Sequence, residues 1–387
     1  MRVVRDREAR GARQIAFDVL LDVADGAPSG DTLDRALAGL DSRDAGLATE
    51  IVFGVLRRRA QLHALITKVA SRRPDQMDRR VLAAIEIGAY QMRFLNRVPD
   101  HAAVSESVDL VKRARLAAAG AMVNAVLRRL PPVPSKWGDG ALEYSLPAWL
   151  WRRWVSRFGP DTAARLGQAC LQPPAAYIRL PQAEAPPGCE ATELPGAWLL
   201  KGPLPAGARR QDISSQTVVP LLSLQPGQLF LDLCAAPGNK TAQALETAGI
   251  TAVACDASPA RLRDFQASGA RLVRLDAAEP LPFPAIFDRI LVDAPCSGTG
   301  TIARNPEIRW RLKEADLARH AQRQARVLRN ALACLKPGGR LVYSTCSLER
   351  EENEDVVRAV AASRLVTERL RVPGRHAGDG FYAAVLT

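Results

Sequence analysis

Residues 229–241 read LFLDLCAAPGNKT: a short apolar run, a turn of small residues, then a stretch able to start a helix. The run has strand length, and the small side chains at 235, 236 and 238 let the backbone approach a ligand closely. A helix N-terminus placed there favours a negative group. Similar strands follow outward along the chain at 251–256 (TAVACD), 271–276 (RLVRLD), 288–293 (DRILVD) and 340–346 (RLVYSTC). Helical patterns separate most of them. That alternation predicts an α/β domain built on a doubly wound parallel sheet, with ligands at the carboxyl ends of the strands.

A small-residue turn alone also suits a dinucleotide or a phosphate. The acids decide between them. Asp256 ends the second strand, where it can accept from both ribose hydroxyls, and Asp276 ends the third, placed for an adenine amino group. Asp293 ends the fourth. With no GxGxxG and no GxxxxGK[ST], the pattern points to a nucleoside cofactor without phosphates, S-adenosylmethionine. Its expected contacts are Cys234, Ala235, Ala236, Pro237, Gly238, Asn239 and Lys240, with Asp256, Asp276 and Asp293.

Upstream the pattern is different. Residues 12–130 have helical periodicity almost throughout, as in Ile15, Val19, Leu20 and Val23, or Val81, Leu82, Ile85, Ala89 and Met92. The last such segment stops at PPVP (131–134), where consecutive prolines end a helix. Residues 131–210 are proline-rich and irregular, with Trp149, Trp151 and Trp154 on one helix that is expected to pack between domains. The expected organisation is an all-α domain over 1–135, a linker and small α/β connector over 136–210, and the catalytic domain over 211–387.

The net charge is +12, and residues 1–135 hold 22 basic against 16 acidic side chains. Arg57-Arg58-Arg59, Arg72-Arg73, Arg79-Arg80 and Arg128-Arg129 together suggest contact with a nucleic acid, although each cluster alone suits a solvated helix face. No run of about eighteen apolar residues offers a membrane span. The N-terminus MRVVRDREARGARQ lacks the apolar core of a secretory signal. The seven cysteines show no CxxC pairing, so neither a disulfide framework nor a metal site is expected, and a cytoplasmic location fits.

Two cysteines stand apart. Cys296 lies in LVDAPCSGTG (291–300) and Cys346 in VYSTCSL (342–348), each beside polar or turn residues at the predicted ligand edge. Packing explains Cys170, Cys189, Cys255 and Cys334 well enough. The four histidines are scattered and are assigned no chemistry.

LDLCAAPGNKT, LVDAPCSGTG and YSTCSLEREENE, with QDISSQ (211–216) and DGFYAAVL (379–386), resemble the RNA cytosine-C5 methyltransferases of the NOL1/NOP2/Sun family. RAQLHALI, VLAAIEIGAYQM, VPDHAAVSESVDLVK and VNAVLRRL resemble a NusB-like RNA-binding domain. The pairing is similar to the bacterial Sun/Fmu (RsmB-type) subgroup. The resemblance implies a Rossmann-like class I methyltransferase domain, S-adenosylmethionine as cofactor and a cytosine of 16S ribosomal RNA as substrate. A monomer without metal, acting away from membranes, is expected. It assigns nucleophilic attack on C6 to Cys346 and product release, as base or proton relay, to Cys296. The DNA cytosine-C5 enzymes use the cysteine of their Pro-Cys motif instead, the rival assignment. Asp293 would bind the cytosine at N3 and its amino edge, and Lys240 would lower the thiolate pKa or touch the base. Asn239 stands where the family more often has glycine; asparagine tolerates positive φ, so the loop is expected to keep its shape. The alternatives are the same reaction on tRNA or 23S ribosomal RNA, or a non-catalytic RNA-binding assembly factor.

Overall fold

The computed structural model describes residues 11–387. Residues 1–10, which carry most of the charged N-terminus and the start of the expected helical domain, lie outside the described residues. The chain forms two compact units: the described residues up to Leu171 with Asn305–Arg311, and Gln172–Arg304 with Leu312–Thr387.

The first unit contains α1 (Ala12–Ala24), α2 (Ser29–Leu37), α3 (Ser42–Thr67), α4 (Arg79–Phe94), α5 (Asp100–Arg113) and α6 (Gly120–Arg128). It continues through α7 (Gly140–Glu143), α8 (Ala148–Phe158) and α9 (Pro160–Leu171). The apolar stripes meet in one core that includes Val19, Leu20, Val55, Leu56, Ile85, Val123 and Leu127. Asp41 starts α3 by accepting from the amides of Arg43 and Asp44, which satisfies two of the free donors at the helix start. Helix α6 ends three residues before Pro131, as the prolines require. Trp154 is fully buried and Trp151 packs on Tyr144 at 5.1 Å between ring centroids. The Trp151 contact lies within the first unit.

Several arginine clusters are structural. Arg57 is buried and lies over Phe53, Arg58 lies over Phe94, and Arg59 donates to the buried Glu86 at 2.9 Å. Burial opposes ionisation of Glu86, yet Arg59 and His63 hold its carboxyl down at about 2. Arg73, Arg79 and Arg80 pair with Asp75, Asp25 and Asp78 at the surface.

The second unit opens on a small antiparallel sheet of β1 (Tyr177–Arg179), β2 (Cys189–Ala191), β3 (Ala197–Leu200) and β4 (Arg209–Arg210), in the order β2-β3-β1-β4. After α10 (Ile213–Gln216) come β5 (Leu229–Leu233), α11 (Asn239–Thr247), β6 (Thr251–Asp256), α12 (Pro259–Arg263), β7 (Ala270–Arg274) and β8 (Phe287–Asp293). Helix α13 (Ile308–Arg311) belongs to the helical unit; then follow α14 (Asp316–Ala333), β9 (Leu335–Thr345), α15 (Glu354–Ala361), β10 (Leu365–Arg371) and β11 (Phe381–Leu386). The large sheet has the order β10-β11-β9-β8-β5-β6-β7. The five strands β5 to β9 are parallel, as the alternation predicts. β11 runs antiparallel to its neighbours β9 and β10, so the sheet is mixed where a purely parallel one was expected.

Both faces of the sheet are covered. Phe230, Leu291 and Val342 enter one apolar cluster, and Leu231, Ile290 and Leu341 the other, which is why these strands read as nearly unbroken apolar runs. From β5 the chain winds one way through β6 and β7, then returns to place β8 on the other side. This reversal opens a crevice beyond the carboxyl ends of β5 and β8.

Candidate active site

The loops after β8 and β9 bring the two thiols into contact, with Cys296 Sγ and Cys346 Sγ 3.3 Å apart. The neighbouring backbone explains the approach. Asp293 and Ser344 are register partners, Ala294 N donates to Ser344 O at 2.8 Å, and Gly300 N donates to Cys346 O at 2.9 Å. Gly300 has to be glycine: an added Cβ would lie 2.4 Å from Gly380 O and 2.7 Å from Cys346 O. The hydrogen bond to Cys346, followed by burial, pushes the Cys296 thiol well above its ordinary range. Either sulfur can donate across this contact.

The loop after β5 turns through Cys234 (φ 64°) and Gly238 (φ 104°). Asn239 is the first residue of α11, so the positive φ falls on Gly238 and the asparagine needs no conformational tolerance. Its Nδ2 donates to Arg210 O at 3.3 Å, while its Oδ1 is buried without a partner. Asp232 Oδ1, beneath the same loop, is likewise buried and unpartnered. Lys240 Nζ donates to Asp293 Oδ2 at 2.7 Å and lies over the Phe381 ring, and Ser344 Oγ donates to Asp293 Oδ1 at 2.8 Å.

Asp256 sits at the end of β6, buried, accepting from Ser258 N at 2.8 Å, Ala236 N at 3.3 Å and Arg261 at 3.0 Å. Asp276 follows β7, which ends two residues earlier, and accepts from Ala278 N and Arg323. Backbone amides thus orient both carboxylates at the strand edge, and both carry arginines at the rim. The small-residue turn, the strand-end acids and the unpartnered acceptor on Asn239 fit a nucleoside carrying an amino acid. Cys234–Lys240, Asp256 and Asp276 are the residues fitted to hold it.

A cavity of about 380 Å³ is lined by Asn239, Lys240, Asp293 and Cys346. Asp256 and Asp276 do not line it. Sequence reasoning assigned no role to three of its other lining residues: Arg304 donates to Asp379 at 2.9 Å and to Asp212 at 3.2 Å. Burial and the neighbouring Asp212 push the Asp379 carboxyl up to about 6. The only signal for Asp212 and Asp379 was that QDISSQ and DGFYAAVL stood out. Glu352, which binds the loops of both cysteines, was also missed.

A reversing parallel sheet with a nucleoside-shaped edge and a thiol pair beside it defines an S-adenosylmethionine-dependent methyltransferase. Comparison with known proteins agrees. The family described as 16S rRNA methyltransferase RsmB/F matches residues 219–387, and the NusB family matches residues 10–131. Ribosomal RNA small subunit methyltransferase B of Erwinia tasmaniensis is 33% identical over 422 residues, covering 94% of this chain and 95% of that protein. The Thermus thermophilus protein of the same name is 36% identical over 367 residues, covering 90% and 87%. The chain belongs to the ribosomal RNA small subunit methyltransferase B family, and it is an RNA methyltransferase that uses S-adenosylmethionine. Among solved structures, that of PH0851 has the same fold, with a TM-score of 0.81 over 98% of this chain and 99% of the other at 22% identity. A methyltransferase homolog from Pyrococcus horikoshii is 26% identical, with a TM-score of 0.54 over 64% of this chain and 97% of that one.

Proposed function

We propose that the protein methylates C5 of a cytosine in 16S ribosomal RNA through a covalent adduct between Cys346 and C6 of the base. The observation that carries this reading is the thiol pair in contact at the ligand edge of the sheet. C5 of cytosine is a poor nucleophile until something adds to C6. Cys346, a lining residue of the cavity, adds there as the thiolate. S-adenosylmethionine, held by residues 234–240, Asp256 and Asp276, supplies an electrophilic methyl group. Asp293, fixed by Lys240 and Ser344, meets N3 and the amino edge of the cytosine and favours a protonated N3 as charge builds on the ring. Cys296 then serves as base or proton relay while the C5 proton leaves and Cys346 is expelled. The base must leave any stack to reach these groups, so a flipped or loop cytosine is the substrate.

Family membership supports the small-subunit assignment. Bisulfite mapping of 16S and 23S ribosomal RNA and of tRNA, from a deletion strain against its parent, tests it. Loss of one protected cytosine in 16S RNA is expected. Loss in 23S RNA or tRNA instead would move the substrate, and no loss anywhere would leave an RNA-binding assembly role.

A further inference from the structure

Glu352 lies in the turn between β9 and α15 and is fully buried. One oxygen accepts from Ser297 N at 2.8 Å and from Gln324 Nε2 at 3.0 Å. The other accepts from Ser347 Oγ at 2.5 Å and from Ser297 Oγ. Ser297 follows Cys296 and Ser347 follows Cys346, so a single carboxylate ties together the residues next to both thiols, which are 50 positions apart in sequence. Its surroundings reinforce the grip. Gln324 also donates to Pro295 O at 2.9 Å, and Tyr343 donates to the main-chain oxygen of Glu352 at 2.6 Å.

All four donors to the carboxylate are neutral. A buried carboxylate without a cation is costly, and well-packed apolar residues would stabilise such a site better. What the carboxylate supplies is geometry, because it accepts from three groups on two separate loops and a fourth on α14, each in a fixed direction.

We infer that Glu352 is a positioning residue that sets the contact between Cys296 and Cys346. Its consequence for turnover rests on the cysteine mechanism proposed above; its effect on the thiols does not. Phenylarsine oxide, which bonds two thiols at once, reads their spacing directly in the full-length protein. Glu352→Ala should weaken arsenical binding at least about tenfold, as the second thiol loses its high effective concentration. It should lower kcat about 100-fold, the cost of small misplacement, with KM for S-adenosylmethionine little changed. Glu352→Gln should recover most of both, since its oxygen can take Ser297 N and Gln324 while its amide faces two hydroxyls able to turn and accept. Should Glu352→Ala fail to fold, the double variant Ser297→Ala with Ser347→Ala removes two of the four donors and should weaken the arsenical in the same sense. Parent-like arsenical affinity in a folded Glu352→Ala protein or in the double variant overturns the inference. Full methylation by Cys346→Ala would overturn the cysteine mechanism, and the arsenical result would still judge Glu352.

Discussion

Asp232 turns from β5 into a fully buried space, where Thr241 Oγ donates to one of its oxygens at 2.6 Å and the other has no partner. Burial pushes its carboxyl up to about 7; the Thr241 hydrogen bond and Lys240 oppose the rise, while Asp293 and Asp256 add to it. The folded state therefore prefers the protonated acid. Its contribution to stability is present below the unfolded pKa near 3.8 and is lost as pH rises through about 7. The displacement corresponds to about 4 kcal/mol in full. Asp232→Asn should consequently gain on the parent in unfolding temperature between pH 4 and pH 7, the range over which that loss accumulates. A difference that stays constant across this range would contradict the account. Residues of this kind divide sharply in legibility. Asp256, Asp276 and Asp293 could be picked out because each closes an apolar run. Glu352 could not, because in EREENE it sits among other acids and nothing in their spacing says which one turns inward.

The elements were legible to the extent that burial shapes composition. Strands β5, β8 and β9 are covered on both faces, so their apolar runs announce them within a few residues. β10 is an edge strand whose Glu368 and Arg371 pair outward with Arg358 and Glu193, so LVTERLR carries no apolar run. β11 is entirely buried, yet FYAAVL stood out only as a terminal piece, and period alone cannot give strand direction. The connector strands β1 to β4 are two to four residues long, too short to set up any period. Asp276 was placed on its strand but sits in the following turn, where it accepts from Ala278 N.

At the scale of the whole molecule, sequence order hides that Asn305–Arg311 belongs to the helical unit. There Glu307 accepts from Ser29 Oγ at 2.6 Å, Trp310 donates to Leu56 O at 2.7 Å, and the buried Arg309 donates to Ser145 O and Cys170 O. Charge is likewise misread from a count. Arg57, Arg58 and Arg59 are engaged within the unit, whereas Arg128 and Arg129 end α6 exposed, Arg128 lining a groove of about 450 Å³ with His101, Lys112 and Asn124. RNA contact should therefore depend on the α6 arginines. Replacing Arg128 and Arg129 by Gln should lower the slope of log affinity against log salt by about 1.5. An unchanged slope would place the phosphate contacts elsewhere on the chain.

The central claim, attack by Cys346 with release assisted by Cys296, is tested most directly by trapping the adduct. Cys296→Ala, Cys346→Ala and parent protein are incubated with substrate RNA and S-adenosylmethionine, then run on a denaturing gel. With Cys296→Ala, attack proceeds while elimination stalls, so a slow band containing RNA should appear and vanish after nuclease treatment. Cys346→Ala should give neither band nor methylation. A nuclease-sensitive band from Cys346→Ala and none from Cys296→Ala would put the nucleophile in the Pro-Cys loop and contradict the account.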